Sequence, residues 1–255
     1  MDIRDEVYSR TYGIYGPDMV KLFKSHVMVI GLGGVGGALA ISLARCGVGE
    51  LTLVDGDYVA KSNLNRQMIA TISNLGVNKA EAALKMIKDI NPDIKVNIST
   101  SFFTLENMEK DEVLKNIDKV DYVADAIDNI KAKTELIKYC VDNNIPIISS
   151  MGAGNKTNPC GFKVSDISKT QVDPLARVMR QRLRKLGINH FKVVYSEEEP
   201  IEAYGRELIE ETESKFETTN YTKSRAPSSS PFVPSVAGLL MGSEIVKDLV
   251  NTSDT

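Results

Sequence analysis

The chain contains no tryptophan, only two histidines and only three cysteines. Each shortage closes off a class of chemistry. His26 and His190 stand far apart, so there is no histidine set for a zinc site. Cys46, Cys140 and Cys160 form no CxxC pair, and an odd, scattered set does not make a disulfide framework. Cys46 and Cys140 fall in apolar helical patterns and read as small buried hydrophobes. Cys160 follows Pro159 and reads as accessible. No apolar run approaches the ~20 residues that span a bilayer. The N-terminus MDIRDEVYSR is charged from its second residue, unlike a secretory leader. The expectation is a cytoplasmic protein with no membrane contact. A net charge of -3 gives no global attraction to nucleic acid, but it permits a local basic patch.

What is present is an alternation of short apolar runs and helical periodicity over 255 residues, enough for one large α/β domain. Residues 26–30 are an apolar run before glycines, the pattern of a buried parallel strand. Residues 36–46 predict a helix of small residues, and 51–54 a second strand. Residues 77–90 predict a helix with Ala80, Ala83, Leu84, Ile87 and Ile90 on one face. Strands at 95–99, 122–126 and 145–149, with a helix at 134–143, complete the pattern. This order predicts a Rossmann-like, doubly wound, mostly parallel sheet with a C-terminal extension. Residues 1–155 form the nucleotide-binding domain in this reading. Residues 156–255 continue it with strands at 162–166 and 191–195 around a helix at 174–186. An acid-rich stretch at 197–217, a mobile Thr/Ser/Pro-rich loop at 218–231 and an amphipathic helix at 235–250 follow.

The glycine loop Gly31-Leu-Gly33-Gly34-Val-Gly36 sits between the first strand and first helix. There, backbone amides can approach phosphate at a helix N-terminus. Asp55 lies 24 residues after Gly31, close to the distance at which a carboxylate grips ribose hydroxyls, and Asp57 follows it. On these features alone an NAD-binding Rossmann module is the better reading. The next residues shift the balance. Ser62-Asn63-Leu64-Asn65-Arg66-Gln67 is followed by Lys79 and then by Asp125-Ala-Ile-Asp128-Asn129. A dinucleotide needs little added positive charge. A triphosphate under attack develops charge on its leaving pyrophosphate, which Arg66 and Lys79 would stabilise. Asp128, past the fourth strand, is placed to hold Mg²⁺ between phosphates. Singly, Arg66 and Lys79 also read as surface charges, and Asp128 as a helix N-cap.

At these residues the chain resembles the E1-like (ThiF/MoeB/HesA) family, which adenylates ubiquitin and sulfur-carrier proteins. The resemblance implies that Asp55 holds ribose, that Asn63, Arg66 and Lys79 contact the phosphates of ATP, and that Asp128 binds Mg²⁺. Tyr8-Ser9-Arg10-Thr11 is similar to the family's N-terminal arginine motif. That similarity implies a homodimer in which Arg10 reaches the neighbouring subunit's γ-phosphate.

Two departures narrow the reading. The chain lacks the two CxxC pairs usual in members that adenylate sulfur carriers. The stretch Arg225-Ala-Pro-Ser-Ser-Ser-Pro-Phe-Val-Pro lacks the cysteine of thioester-forming members. Met151-Gly-Ala-Gly-Asn-Lys156, Val164-Ser-Asp166-Ile-Ser-Lys169-Thr170 and Asp173-Pro-Leu-Ala-Arg177-Val-Met-Arg180 resemble another subgroup. Its members use ATP to cyclise the threonylcarbamoyl side chain of an adenosine in tRNA. This implies tRNA as partner, a monovalent cation (Na⁺ or K⁺) beside Mg²⁺, and a sulfur-transfer protein as a further partner. Lys156, Asp166 and Lys169 become candidates near the substrate.

Residues 169–192 carry seven basic side chains and one acid, a formal +6 that leaves -9 for the rest. Lys169, Arg177, Arg180 and Arg184 would form the tRNA-binding set. On charge alone, a solvated helix face or a contact to the glutamates at 197–213 is the simpler reading. Adenylation of a ubiquitin-like sulfur carrier stays as the alternative activity, with the NAD module behind it.

Overall fold

The computed structural model describes residue 2, residues 5–204 and residues 227–251. Seven strands form one sheet: β1 (His26–Ile30), β2 (Glu50–Val54), β3 (Lys95–Ser99), β4 (Tyr122–Asp125), β5 (Ile147–Ser150), β6 (Phe162–Asp166) and β7 (Lys192–Ser196). Their order is β3-β2-β1-β4-β5-β7-β6. Neighbours pair in parallel except β6 with β7. The expected doubly wound, mostly parallel sheet is therefore present. The order reverses between β1 and β4, and such a switch point opens a ligand crevice at the carboxyl ends of the strands. The four-residue strands β4 and β5 are buried along their whole length, as a sheet covered on both faces requires.

The helices are α1 (Ser9–Tyr15), α2 (Met19–Lys24), α3 (Gly34–Cys46), α4 (Lys79–Ile90), α5 (Leu105–Lys110), α6 (Ile130–Asp142), α7 (Pro174–Arg184) and α8 (Phe232–Asn251). One core, from Val27, Leu39, Leu53, Ile87, Ala237 and Ile245, joins α3, α4 and α8 to one face of the sheet. The other, from Met28, Val123, Leu136, Ile137, Met179 and Leu183, joins α6 and α7 to the opposite face. Among the described residues no helix is long and apolar enough to cross a membrane.

Several boundaries differ from the sequence reading. α6 starts at Ile130 rather than 134, because Asn129 caps it: its Oδ1 accepts from the N–H groups of Lys131 and Ala132, both at 3.0 Å. α8 starts at Phe232, with Pro234 in the first turn where a missing N–H costs nothing. The short α1, α2 and α5 carry too few periodic residues to announce themselves. The Thr/Ser/Pro-rich stretch up to residue 226, and the acid-rich stretch beyond residue 204, lie outside the described residues.

α8 runs parallel to α3 at close range. A Cβ on Gly238 would fall 2.2 Å from the Val35 carbonyl oxygen, and one on Gly242 would fall 2.6 Å from Ser42 Oγ. One on Gly34 would fall 2.9 Å from Pro234 Cβ. Small residues thus bring the two helices together and set both N-termini at the same edge of the sheet.

Candidate active site

The glycine loop closes over the switch point. Gly31 has φ 89°, and a Cβ there would meet the Ala126 carbonyl oxygen at 2.7 Å. A Cβ on Gly36 would collide with the Gly31 carbonyl oxygen at 1.8 Å. Gly33 is different: nothing lies nearer to its Cβ position than Gln67 Nε2, at 4.0 Å. Packing does not demand a glycine at that position, and the open space suits a phosphate approaching the amides at the N-terminus of α3.

Asp55 directly follows β2 beside this loop, 8% exposed. Its Oδ2 accepts from Leu32 N–H at 2.6 Å and its Oδ1 from Asp57 N–H at 2.8 Å. Burial pushes the carboxyl above the usual carboxylate range, against the pull of Lys79 and of these two amides. Asn78 joins the parts. It caps α4 by accepting from Ala80 N–H at 2.8 Å, and its Nδ2 donates to the Asp55 and Asp57 carbonyls at 3.1 Å. Lys79 is therefore delivered to the site at the first position of α4. Its Nζ donates to Asp57 Oδ2 at 2.6 Å, with Lys79 buried and the Asp57 side chain 49% exposed.

The segment between Asp57 and α4 is a chain of tight turns with two 3₁₀ turns, Lys61–Asn63 and Ile72–Asn74. Asn63 is buried and accepts from Ala60 N–H through Oδ1 at 3.0 Å, which leaves Nδ2 as a donor. Arg66 Nη1 donates to the Ser62 carbonyl at 2.8 Å and to Asn65 Oδ1 at 3.0 Å, so its own turn holds the guanidinium. Asp128 is exposed, three residues past the end of β4 and ahead of the cap Asn129. Among the described residues no three His, Cys, Asp or Glu side chains gather as a metal cluster. One carboxylate supplemented by substrate phosphates is a donor set that suits Mg²⁺.

Arg10 stands apart from its own site. Tyr8 anchors this region at the far end of α3, its ring 4.9 Å from Phe23 and its OH accepting from Asn91 Nδ2 at 2.7 Å. Those partners lie near Gly47, the C-cap of α3, about 20 Å of helix from the glycine loop. Arg10 is exposed on α1.

The basic helix α7 begins at the same sheet edge as the glycine loop. Its N-cap Asp173 accepts from Ala176 N–H at 2.8 Å and pairs with buried Lys156 at 2.7 Å. Lys156 also donates to the Gly152 carbonyl at 2.9 Å, so its charge fastens α7 to the turn after β5. Arg177 and Arg184 are exposed along α7. Arg180 is not: it is half-buried and Nη1 donates to the Thr170 carbonyl at 2.9 Å and to Thr170 Oγ1. Asp166 and Lys169 sit at the opposite edge, because antiparallel β6 carries the chain back to the start of β7.

Two residues beside this site, Gln67 and Lys133, have no role in the motif reading. Gln67 closes the segment beginning at Ser62; it is 7% exposed, and its Oε1 is buried without a hydrogen-bond partner. Lys133 is fully buried, with Nζ 2.7 Å from Asp125 Oδ2. Its signal was its register, on the same helical face as Leu136, Ile137 and Cys140.

The sequence profile of the ThiF family matches residues 8–255. The chain belongs to the ThiF family. Among curated ThiF relatives is the tRNA threonylcarbamoyladenosine dehydratase of Bacillus subtilis, 43% identical over 247 residues, or 95% of this chain and 94% of that protein. The Sulfur carrier protein ThiS adenylyltransferase of Escherichia coli is 36% identical over 135 residues, 52% of this chain and 51% of that one. Among solved structures, the E. coli tRNA N6-threonylcarbamoyladenosine dehydratase TcdA in complex with ATP superposes with a TM-score of 0.82 at 30% identity. That match covers 98% of this chain and 97% of TcdA. TcdA is also similar in its AMP complex, with a TM-score of 0.81.

Proposed function

We propose that this ThiF-family protein is an ATP-dependent tRNA threonylcarbamoyladenosine dehydratase. The observation that carries the proposal is the extent of the B. subtilis match. It runs over 95% of this chain and so takes in α7 and the turn it is fastened to, whereas the ThiS adenylyltransferase match spans 52%. The stretch 225–234 before the last helix also carries no cysteine, so it offers no thiol for relay of a protein tail through sulfur.

The chemistry follows from the parts. An oxygen of the substrate carboxylate attacks the α-phosphorus of ATP; the bond to the bridging oxygen breaks and pyrophosphate leaves. The neighbouring carbamoyl group then attacks the activated carbonyl carbon. AMP leaves with the original carboxylate oxygen and a proton is released, a net loss of water. The second step is intramolecular, so positioning supplies much of its rate.

In this reading the α3 amides cradle phosphate and Asp55 takes ribose. Asn63 Nδ2, Arg66 and Lys79 stabilise the leaving pyrophosphate. Lys79 exchanges its bond to solvated Asp57 for phosphate. Mg²⁺ held at Asp128 would neutralise phosphate charge. Because Arg10 lies a helix length from its own glycine loop, a second copy of the chain would supply it, which makes the enzyme a homodimer. Arg177 and Arg184 would take the RNA backbone. ATP–pyrophosphate exchange tests the acceptor. Exchange stimulated by tRNA bearing the modified base supports the proposal; exchange that responds only to a Gly-Gly-ended carrier protein overturns it.

A further inference from the structure

A cleft of about 520 Å³ opens on the outer side of the 64–70 turn, against the start of α8. Its wall includes Arg66, Gln67, Met68, Pro159, Pro231 and Phe232. Asn65 Nδ2 donates to the Ser229 carbonyl at 3.0 Å, and Asn155 exchanges hydrogen bonds with Ser228 at 2.7 and 2.8 Å. The segment leading into α8 is thereby stitched to the 64–70 turn on one side and to Asn155 on the other, which fixes that side of the cleft.

Three observations say what it takes. Phe232 is 67% exposed and stands with Pro159, Pro231 and Met68, flat apolar surface of the kind a purine stacks on. The N-terminus of the 20-residue α8, with Arg66 across from it, favours an anionic group. Gln67 carries a carboxamide whose Oε1 is buried and unpartnered, while its Nε2 is the atom nearest the open position at Gly33. Buried amides almost always find partners. Gln67 thus lines the cleft and neighbours the phosphate loop, and a turn of its carboxamide toward the cleft would give the buried Oε1 a partner.

We propose that this cleft is the acceptor pocket, with Phe232 stacking on the modified adenine and Gln67 reading its carbamoyl group. The proposal rests on the dehydratase reading above. A ureido group offers one N–H and one C=O side by side, the complement of a carboxamide. With the ureido group bound at Gln67, the adjacent carboxylate would face Arg66 and the α-phosphate, the arrangement that the first chemical step needs.

The test uses the full-length protein with ATP, Mg²⁺ and tRNA bearing threonylcarbamoyladenosine. Phe232→Ala and Gln67→Leu are compared with wild type in two measurements: calorimetric affinity for ATP–Mg²⁺ without tRNA, and KM and kcat for the dehydrated nucleoside. Thermal melting checks that both variants fold. Phe232→Ala is expected to raise KM for tRNA by about 10-fold or more, as removal of base stacking does. Gln67→Leu is expected to lower kcat/KM by about 100-fold, as removal of a substrate-reading hydrogen-bond pair does. ATP affinity should stay within about twofold in Phe232→Ala. Unchanged tRNA kinetics in both folded variants would overturn the pocket and leave the dehydratase reading standing. A loss of ATP affinity in Gln67→Leu that accounts for its defect would reassign Gln67 to the phosphates. A wild-type protein that does not dehydrate the tRNA would overturn both proposals together.

Discussion

Lys133 Nζ lies 2.7 Å from Asp125 Oδ2, and both side chains are wholly buried. Ser149 Oγ and the Ser150 carbonyl complete the lysine's partners, each at 3.0 Å, and Asp125 Oδ1 accepts from Ile127 N–H at 3.0 Å. The network ties β4, α6 and β5 together beneath the turn that carries Asp128. Breaking a buried pair strands a charge. Lys133→Met should therefore cost about 3–5 kcal/mol of stability. Adding Asp125→Asn should cost much less than in isolation. Urea denaturation of the double-mutant cycle measures this; strictly additive costs would mean the pair is not coupled.

Lys79 is expected to behave in the opposite way. Its partner Asp57 is half exposed and stays solvated when the lysine is removed. Lys79→Ala should leave the melting temperature within a few degrees of wild type while slowing pyrophosphate release by about 10²–10³-fold, or ~2.7–4 kcal/mol. ATP–pyrophosphate exchange reads this out, and near-normal exchange would remove Lys79 from the leaving-group site.

On α7, three arginines separate by geometry. Arg177→Glu and Arg184→Glu should weaken tRNA binding and flatten its dependence on salt, by about one counterion for each phosphate no longer neutralised. Arg180→Ala should chiefly lower stability, because its guanidinium closes the Thr170 turn. Filter binding over a salt series, paired with thermal melting, distinguishes these outcomes. Equal salt slopes for wild type and Arg177→Glu would count against α7 as an RNA surface.

His26 sets an acid-side response. Its Nε2 lies 2.7 Å from Thr52 Oγ1. Burial holds its pKa below the ordinary histidine value, and the neighbouring Glu50 and Asp121 do not fully offset that. The neutral ring is thus the folded form, and its 3.7 Å approach to Glu50 is not an ion pair at pH 7. A folded pKa below the unfolded value gives stability that is present above about pH 6.5 and lost as pH falls through the folded value. Urea midpoints should drop between pH 7.5 and 5.5 in wild type, and drop less in His26→Gln. Parallel profiles would contradict this.

Much of this was legible in the residues. Parallel strands buried on both faces write continuous apolar runs, so β1, β2 and the glycine loop announced themselves. Asp55, Lys79 and Asp128 drew attention because their chemistry and order are unusual together. The rest depended on three-dimensional neighbours. Asn129 took the cap of α6 and extended it past the apolar pattern. Lys156 reads from sequence as a candidate near the substrate and Lys133 attracts no reading, whereas each is held by a buried carboxylate, Asp173 and Asp125 respectively. Arg180 carries its charge on the basic helix, but a local carbonyl holds it. Gln67 stood in the motif with no task, because an orphaned amide is visible only once burial is known.

The central claim is tested most directly by weighing the product. The protein is incubated with ATP, Mg²⁺ and tRNA bearing threonylcarbamoyladenosine, and the tRNA is digested to nucleosides for mass spectrometry. The account predicts that the modified adenosine loses the mass of one water, only when ATP is present, with AMP and pyrophosphate formed in step. A modified adenosine of unchanged mass, from protein that binds ATP normally, would contradict it.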